Sequence, residues 1–162
     1  MRVFFPILLA GSLLAVNQVA AQPVNDDPTG PQPRLPVAPL VIKTASGATY
    51  HFTVELPTTA QEQATGEMFR TSIPPDQGML FVWASPQVSE MWMKNCPVPE
   101  DMVFIGADGK IVSIAENTVP YSLSTISSGV PVKATLELKG GITAQDDINV
   151  GDQVIAKPLS GG

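Results

Sequence analysis

The 162-residue chain has one cysteine, Cys96, and one histidine, His51. A zinc centre built from Cys and His needs four such ligands, so it is excluded, as is an intrachain disulfide framework. Charged side chains make up only 15% of the residues, against about 25% in an average soluble domain. Nine basic residues stand against 15 acidic ones, for a formal net charge of −6. A chain of this sign lacks the basic footprint that phosphate neutralisation requires, so nucleic acid is not an expected partner. There is no G-x-S-x-G nucleophile elbow, no P-loop and no dinucleotide fingerprint. Asp146, Asp147 and Asp152 are near one another but lack the spacing of a calcium loop. No metal or cofactor is expected.

What is present begins with an address. Met1-Arg2 is followed by an apolar run from Val3 to Val16, and small residues at Val19-Ala20-Ala21 suit a signal peptidase. The run is about 14 residues, too short for the ~20 that a membrane span requires. Residues 1–21 read as a secretory signal. No membrane span is expected after its removal, and the protein is expected in the periplasm or secreted. Losing Arg2 and no acid takes the net charge from −6 to −7. Residues 22–39 carry prolines at 23, 28, 31, 33, 36 and 39. Proline donates no amide and opposes both helix and strand ladder, so this stretch reads as a disordered linker with polyproline character.

Residues 40–158 then read as one β domain. Tyr50, Phe52, Val54 and Leu56 alternate with polar residues, as Val132, Ala134, Leu136 and Leu138 do later, which is the pattern of half-buried strands. Met79–Trp83 is a continuous apolar run suited to a strand buried on both faces. Ser89–Asn95 and Asp101–Ile105 read as further strands. Asp108-Gly109 marks a hairpin turn. Thr59-Ala60-Gln61-Glu62 fits a capping box opening a short helix to about residue 68, and a second helical turn fits between 140 and 148. The expectation is a mainly β fold, a small single-domain barrel or sandwich of about eight short strands with one or two short helices.

Several ordered segments resemble the domain of unknown function 192 family. Trp92-Met93-Lys94-Asn95, Pro99, Asp101, Phe104-Ile105 and Asp108-Gly109 resemble its F-W-M-K-N-T, P-L-D-I and F-I-D stretches. Gly66-Glu67-Met68-Phe69-Arg70 is similar to its G-L-M-F-R, and Gly78-Met79-Leu80-Phe81 to its G-M-L-F. Leu136-Glu137-Leu138 and Gly151-Asp152-Gln153-Val154 resemble later segments. The resemblance spans about residues 50–156 and implies a small, mainly β, often exported domain, with no reaction attached. The chain departs from the pattern where Cys96 replaces Thr, Glu67 and Glu100 replace Leu, and Gly106 replaces Asp.

Unusual polar and aromatic residues cluster in Trp92–Asp101. On a strand, Trp92 and Lys94 share a face, and Trp beside Lys suits an anion or a planar ligand. Arg70 and Asp101 suit a charge-assisted pair. Arg70, Trp92, Lys94, Asn95 and Asp101 are therefore the expected ligand-binding residues. No catalytic residue is assigned. Cys96 lacks a base, since nothing places His51 near it. Met68, Met79, Met91, Met93 and Met102 suit core filling better than soft-metal binding. The expected function is a non-enzymatic envelope domain that binds a small molecule or an envelope protein. One alternative is an envelope enzyme acting on a small or cell-wall substrate, pairing Glu116 or Asp101 with Lys94. The other is a structural or scaffolding domain.

Overall fold

Residues two apart on a strand share a face, and here both faces of one sheet carry enough apolar residues to be covered. A computed structural model describes residues 27–160, so the expected signal peptide lies outside the described residues. The elements are β1 (Val37–Lys43), β2 (Thr49–Glu55), α1 (Ala60–Thr65), β3 (Gln77–Met91), β4 (Glu100–Ile105), β5 (Ile111–Ala115), β6 (Ile126–Lys139), α2 (Ile142–Gln145) and β7 (Gln153–Ala156). A single 3₁₀ turn, Lys157–Leu159, follows β7.

All seven strands belong to one mixed sheet of order β5-β4-β6-β3-β2-β1-β7. Among the described residues only β2 and β3 run parallel; the other pairs are antiparallel. The fold is mainly β, as expected, but the sheet does not close into a barrel. Its edges touch at one bridge, Lys110↔Gln153, where the Ile111 amide donates to the Asp152 carbonyl at 3.0 Å.

Eight expected strands become seven because two of them are one. β3 runs through from Gln77 to Met91, and β6 pairs with it on both sides of an irregularity. Val82 faces Ala134 and Gln87 faces Val132, so four residues of β3 (83–86) stand against the single residue 133. Pro86 sits in that bulged stretch, where no ladder amide is required of it. Beyond the bulge, Ser89 Oγ and Thr135 Oγ1 share a buried hydrogen bond of 2.8 Å. The strand ends at Met91, and Lys94-Asn95 forms a turn. The strand expected over Ser89–Asn95 therefore stops short, and alternation does not govern Trp92 and Lys94.

The first face buries Leu40, Ile42, Phe52, Val54, Leu80, Val103, Leu136 and Leu138, with Ile142 and Ile148 packed on them. The second face carries a smaller core of Met68, Met93, Cys96, Met102, Phe104 and Val132. The expected linker also needs correction where it is described. β1 begins at Val37, and the preceding residues dock on the domain. The Gln32 side chain donates to the carbonyls of Glu62 and Gly66 at 3.1 and 2.9 Å. The Leu56 amide donates to the Pro36 carbonyl at 2.9 Å. A polyproline strand keeps its carbonyls free, so it can border a sheet without donating to it.

Candidate functional site

Sheet register brings acids together on the second face. Glu55 pairs with Met79, Met79 with Glu137, and Glu137 with Met102. Residues in register share a face, so this row crosses β2, β3, β6 and β4. Glu100 lies two residues before Met102, diagonal to Glu137 on the same face.

Three loops roof this row. The capping box opens α1 as expected: Thr59 Oγ1 accepts from the Glu62 amide at 3.2 Å and Glu62 Oε2 accepts from the Thr59 amide at 2.9 Å. The helix stops at Gly66 (φ 49°), well short of the expected residue 68, because the chain turns there to aim Glu67 inward. The Phe69 amide donates to the Asn95 carbonyl at 2.7 Å, and the Tyr121 amide to the Cys96 carbonyl at 3.1 Å. Phe69 (φ 63°) and Tyr121 (φ 60°) sit in the left-handed region. For aromatic residues that conformation costs about 1–3 kcal/mol each and persists only where the surroundings impose it. Such strain collects at working sites, and here it borders the acids.

Beneath these loops lies a cavity of about 370 Å³, whose walls include Glu67, Phe81, Trp83, Trp92, Cys96 and Glu137. Phe81 and Trp83 stack with centroids 6.1 Å apart. Glu67 and Glu137 are buried, at 3% and 4% exposure, and Glu100 is wholly buried. Among the described residues, Glu137 Oε2, Glu67 Oε2, both Glu100 oxygens and Trp83 Nε1 have no hydrogen-bond partner. Arg70 Nε comes within 3.1 Å of Glu67 Oε2, an ion-pair approach without the alignment of a hydrogen bond. Glu67 also borders a second hollow of about 320 Å³, which Arg34, Glu55 and Arg70 line from the other side.

Electrostatics separates the acids into two kinds. Burial works to raise the Glu55 carboxyl, but the Arg70 fork and the Leu35 amide outweigh it and hold its pKa below the usual range. Arg70 Nη1 and Nη2 donate to the two Glu55 oxygens at 2.8 and 2.9 Å. Glu67 is pushed up to about 7, chiefly by burial, with Arg70 opposing. Glu100 is raised by burial and by the nearby Glu67 charge. Glu137 is raised well above the usual range by burial, then by Glu100 and Glu67. Burial and the neighbouring glutamates push the Cys96 thiol upward as well, and its Sγ donates to the Lys94 carbonyl at 3.5 Å. A protonated, buried thiol of this kind is a poor nucleophile.

The five residues expected to bind ligand do not form one site. Trp92 stands at the cavity mouth, 47% exposed. Lys94 lies over its ring, Nζ 5.2 Å from the centroid, and pairs with Asp27 Oδ1 at 2.7 Å. Asn95 holds the turn at φ 58° and donates to the Met68 sulfur at 3.8 Å. Arg70 is engaged by Glu55 and Glu67 rather than by Asp101. Asp101 belongs to the opposite face, in register with Leu138. Its oxygens accept from the Asn117, Gly141 and Thr143 amides and from Thr143 Oγ1, at 2.8, 2.9, 2.9 and 2.7 Å. It braces α2. His51 is exposed on β2.

The residues that sequence reasoning passed over are Glu67, Glu100, Glu137 and Trp83. A signal for the first two was there: Glu67 and Glu100 stand where the family signature has Leu, and the structure brings these two departures, with Cys96, to one place.

Comparison with known proteins agrees with the fold. No curated protein matches the sequence. A solved structure from Sinorhizobium meliloti 1021, described as a proposed transcription regulator, is 37% identical with a TM-score of 0.76, covering 78% of this chain and 98% of its own. A protein of unknown function from Novosphingobium aromaticivorans DSM 12444 is 34% identical with a TM-score of 0.72, covering 90% of this chain and 99% of its own. Residues 41–156 match the family model DUF192, described as uncharacterised. With that match spanning most of the chain, and the signature segments supplying β3, β4, β6 and the loops around the cavity, the chain belongs to the DUF192 family.

Proposed function

We propose that this protein is a non-enzymatic binding domain of the cell envelope, exported by residues 1–21, that takes a small ligand into the cavity between α1 and the second face of the sheet. One observation carries the reading: two buried carboxyl groups, Glu67 and Glu137, line a cavity of about 370 Å³ and each has an oxygen that accepts no hydrogen bond among the described residues, Glu137 Oε2 without any partner and Glu67 Oε2 with only the ion-pair approach of Arg70. Buried polar atoms are normally satisfied, and leaving one unpaired costs about 1–3 kcal/mol. A ligand that supplies the missing partners recovers that free energy. The volume falls within the range of small-molecule pockets. Trp92 at the mouth and the exposed Tyr121, whose amide donates to the carbonyl of the wall residue Cys96, add apolar surface beside it.

Nucleic acid remains an unfavoured partner, because the acidic balance of the chain opposes phosphate contact. The role proposed for the S. meliloti protein is therefore not extended to this one. The Cys96 environment gives no activated nucleophile; of the expected acid–base partners, Asp101 accepts four hydrogen bonds on the opposite face, Lys94 pairs with Asp27, and Glu116 is exposed. A second reading, an envelope enzyme, draws on a different observation. Glu67 is pushed up to about 7 beside a cavity, and that suits proton transfer near neutrality.

The test is a thermal-shift screen of the purified chain against amines, saccharides, cell-wall fragments and organic anions. A native-state ligand raises the melting temperature by mass action, and the shift is expected to vanish in Trp92→Ala. Turnover of any ligand on overnight incubation would favour the enzyme. A screen without a Trp92-dependent shift overturns the binding reading.

A further inference from the structure

We infer that the cavity binds a small organic cation with N–H donors, an ammonium or guanidinium group seated on Glu137 and Glu67 with its apolar body against Trp83 and Trp92. The inference rests on the reading of this cavity as a ligand site and adds the chemical class.

The argument is one of donors and acceptors. Among the described residues, the cavity-lining side-chain atoms without a hydrogen-bond partner are the acceptors Glu137 Oε2 and Glu67 Oε2, the latter in an ion pair with Arg70, and the donor Trp83 Nε1, while both oxygens of the wholly buried Glu100, close to Glu137, are without one too. An ammonium group carries three donors and no acceptor, and a guanidinium five donors. Once ionised, these carboxyls are acceptors only, so a saccharide hydroxyl, which brings an acceptor with every donor, suits them less than an ammonium does, and an organic anion adds to the surplus. The chain's own nearby cations are already engaged: Lys94, over the Trp92 ring at the mouth, pairs with Asp27 at 2.7 Å. Arg70 makes a fork to Glu55 at 2.8 and 2.9 Å and approaches Glu67 at 3.1 Å. Among the described residues, no group of three His, Cys, Asp or Glu is arranged to hold a metal ion. An organic cation also makes use of the aromatic walls, as a bare metal ion would not. The walls supply apolar area: Trp83 stacks on Phe81 and Lys94 lies over Trp92, so the rings bury the ligand's apolar body while the carboxyls seat its charge. The net charge of −6 also draws cations toward the protein.

Binding must be coupled to pH. Glu137 is faced by Glu100 from β4, by Glu67, Arg70 and Cys96 from the roofing loops, and by Glu55 beyond Met79, while Glu90 of β3 lines the cavity wall. With Arg70 the only cation among them, burial and the neighbouring glutamates favour the protonated form of Glu137. A bound ammonium favours the ionised carboxylate, so the complex releases a proton. Affinity then rises with pH by up to about tenfold per unit for each proton released.

The test is isothermal titration of the purified chain with matched probes: tyramine, 4-ethylphenol and 4-hydroxyphenylacetate on one ring, and putrescine against 1,4-butanediol. At least one amine is expected to bind ten times more tightly than its neutral and anionic counterparts. It should bind more tightly at pH 8 than at pH 6, with net proton release when buffers of different ionisation enthalpy are compared. Glu137→Gln should weaken it at least tenfold while its melting curve confirms folding. Trp92→Ala, at an exposed position, should weaken tyramine more than putrescine. Equal binding of the neutral probes, or no amine binding, overturns the cation. If saccharides or anions shift the melting temperature in a Trp92-dependent way while amines do not, the ligand site stands and only its chemical class falls. If nothing does so, both fall.

Discussion

Asp101 and Glu137 are two buried carboxyl groups one strand apart with opposite situations. Asp101 accepts four hydrogen bonds, three of them from backbone amides. Asp101→Asn turns an amide donor toward those donors, and the loss of charge-assisted bonds is expected to cost about 3 kcal/mol in urea unfolding. Amine affinity should be unchanged in the protein that remains folded. Glu137 is unpartnered at Oε2 and lies in register between Met79 and Met102. Glu137→Met is expected to stabilise the fold by about 1–2 kcal/mol, because it removes an unsatisfied buried group and continues the apolar row. It should abolish ligand binding. Higher stability with lost binding is the behaviour of a site residue, and a drop in denaturation midpoint would show Glu137 to be a structural partner instead. The sequence singled out Asp101, an acid in an apolar strand, but it could not show where its oxygens go. Glu137 looked like an outward residue of an alternating strand. Only the covering of the second face by residues 66–70 and 92–96 makes it interior.

At the scale of elements, local signals were legible where local chemistry sets the structure. The Thr59/Glu62 box, the Asp108-Gly109 turn and the alternation of β2 from Thr49 to Val54 follow from neighbours in the chain, whereas the alternation expected in β6 does not hold, since residues 134–138 are all buried. Thr59→Ala should cost about 1 kcal/mol, read from the shift in thermal midpoint. What the sequence did not reveal depends on distant pairing. The chain around Pro86 reads as a connection, yet β6 spans the bulge and makes 77–91 one strand. Similarly, the prolines before Val37 read as disorder, while Glu55 and the end of α1 hold Arg34, Leu35 and Gln32 in place. Gly78 is another position fixed by a partner. A Cβ there would overlap the Glu137 carbonyl oxygen and lie 2.8 Å from Leu138 Cδ2. Gly78→Ala should push β3 from β6 beside the cavity, with a loss of about 3 kcal/mol. Hydrogen exchange would locate that loss in the β3–β6 pairing.

The whole molecule is a sheet with one dry face and one acidic one, and its stability must carry that signature. Glu67, Glu100 and Glu137 all have pKa values raised in the folded state, Glu67 to about 7 from an ordinary value of 4.5. Folding therefore takes up protons between these limits. Their contribution is complete below about pH 4.5 and is lost as the pH rises through about 7 and beyond. Glu55, lowered by its Arg70 partner, works in the other direction: its contribution is present above its ordinary value and is lost as the pH falls through the depressed one. Between pH 5.5 and 8.5 Glu55 stays ionised, so the three raised carboxyls set the sign, and the melting temperature should fall across that window. Glu137→Gln should flatten the fall, since glutamine has no proton to lose. The cation should reverse it: with a saturating amine the carboxylates gain a partner as they ionise, and the melting temperature should hold or rise toward pH 8.5. A ligand-free protein that grows more stable from pH 5.5 to 8.5 would mean that the acidic face is already neutralised from within, and the cavity would then have no call for a cation.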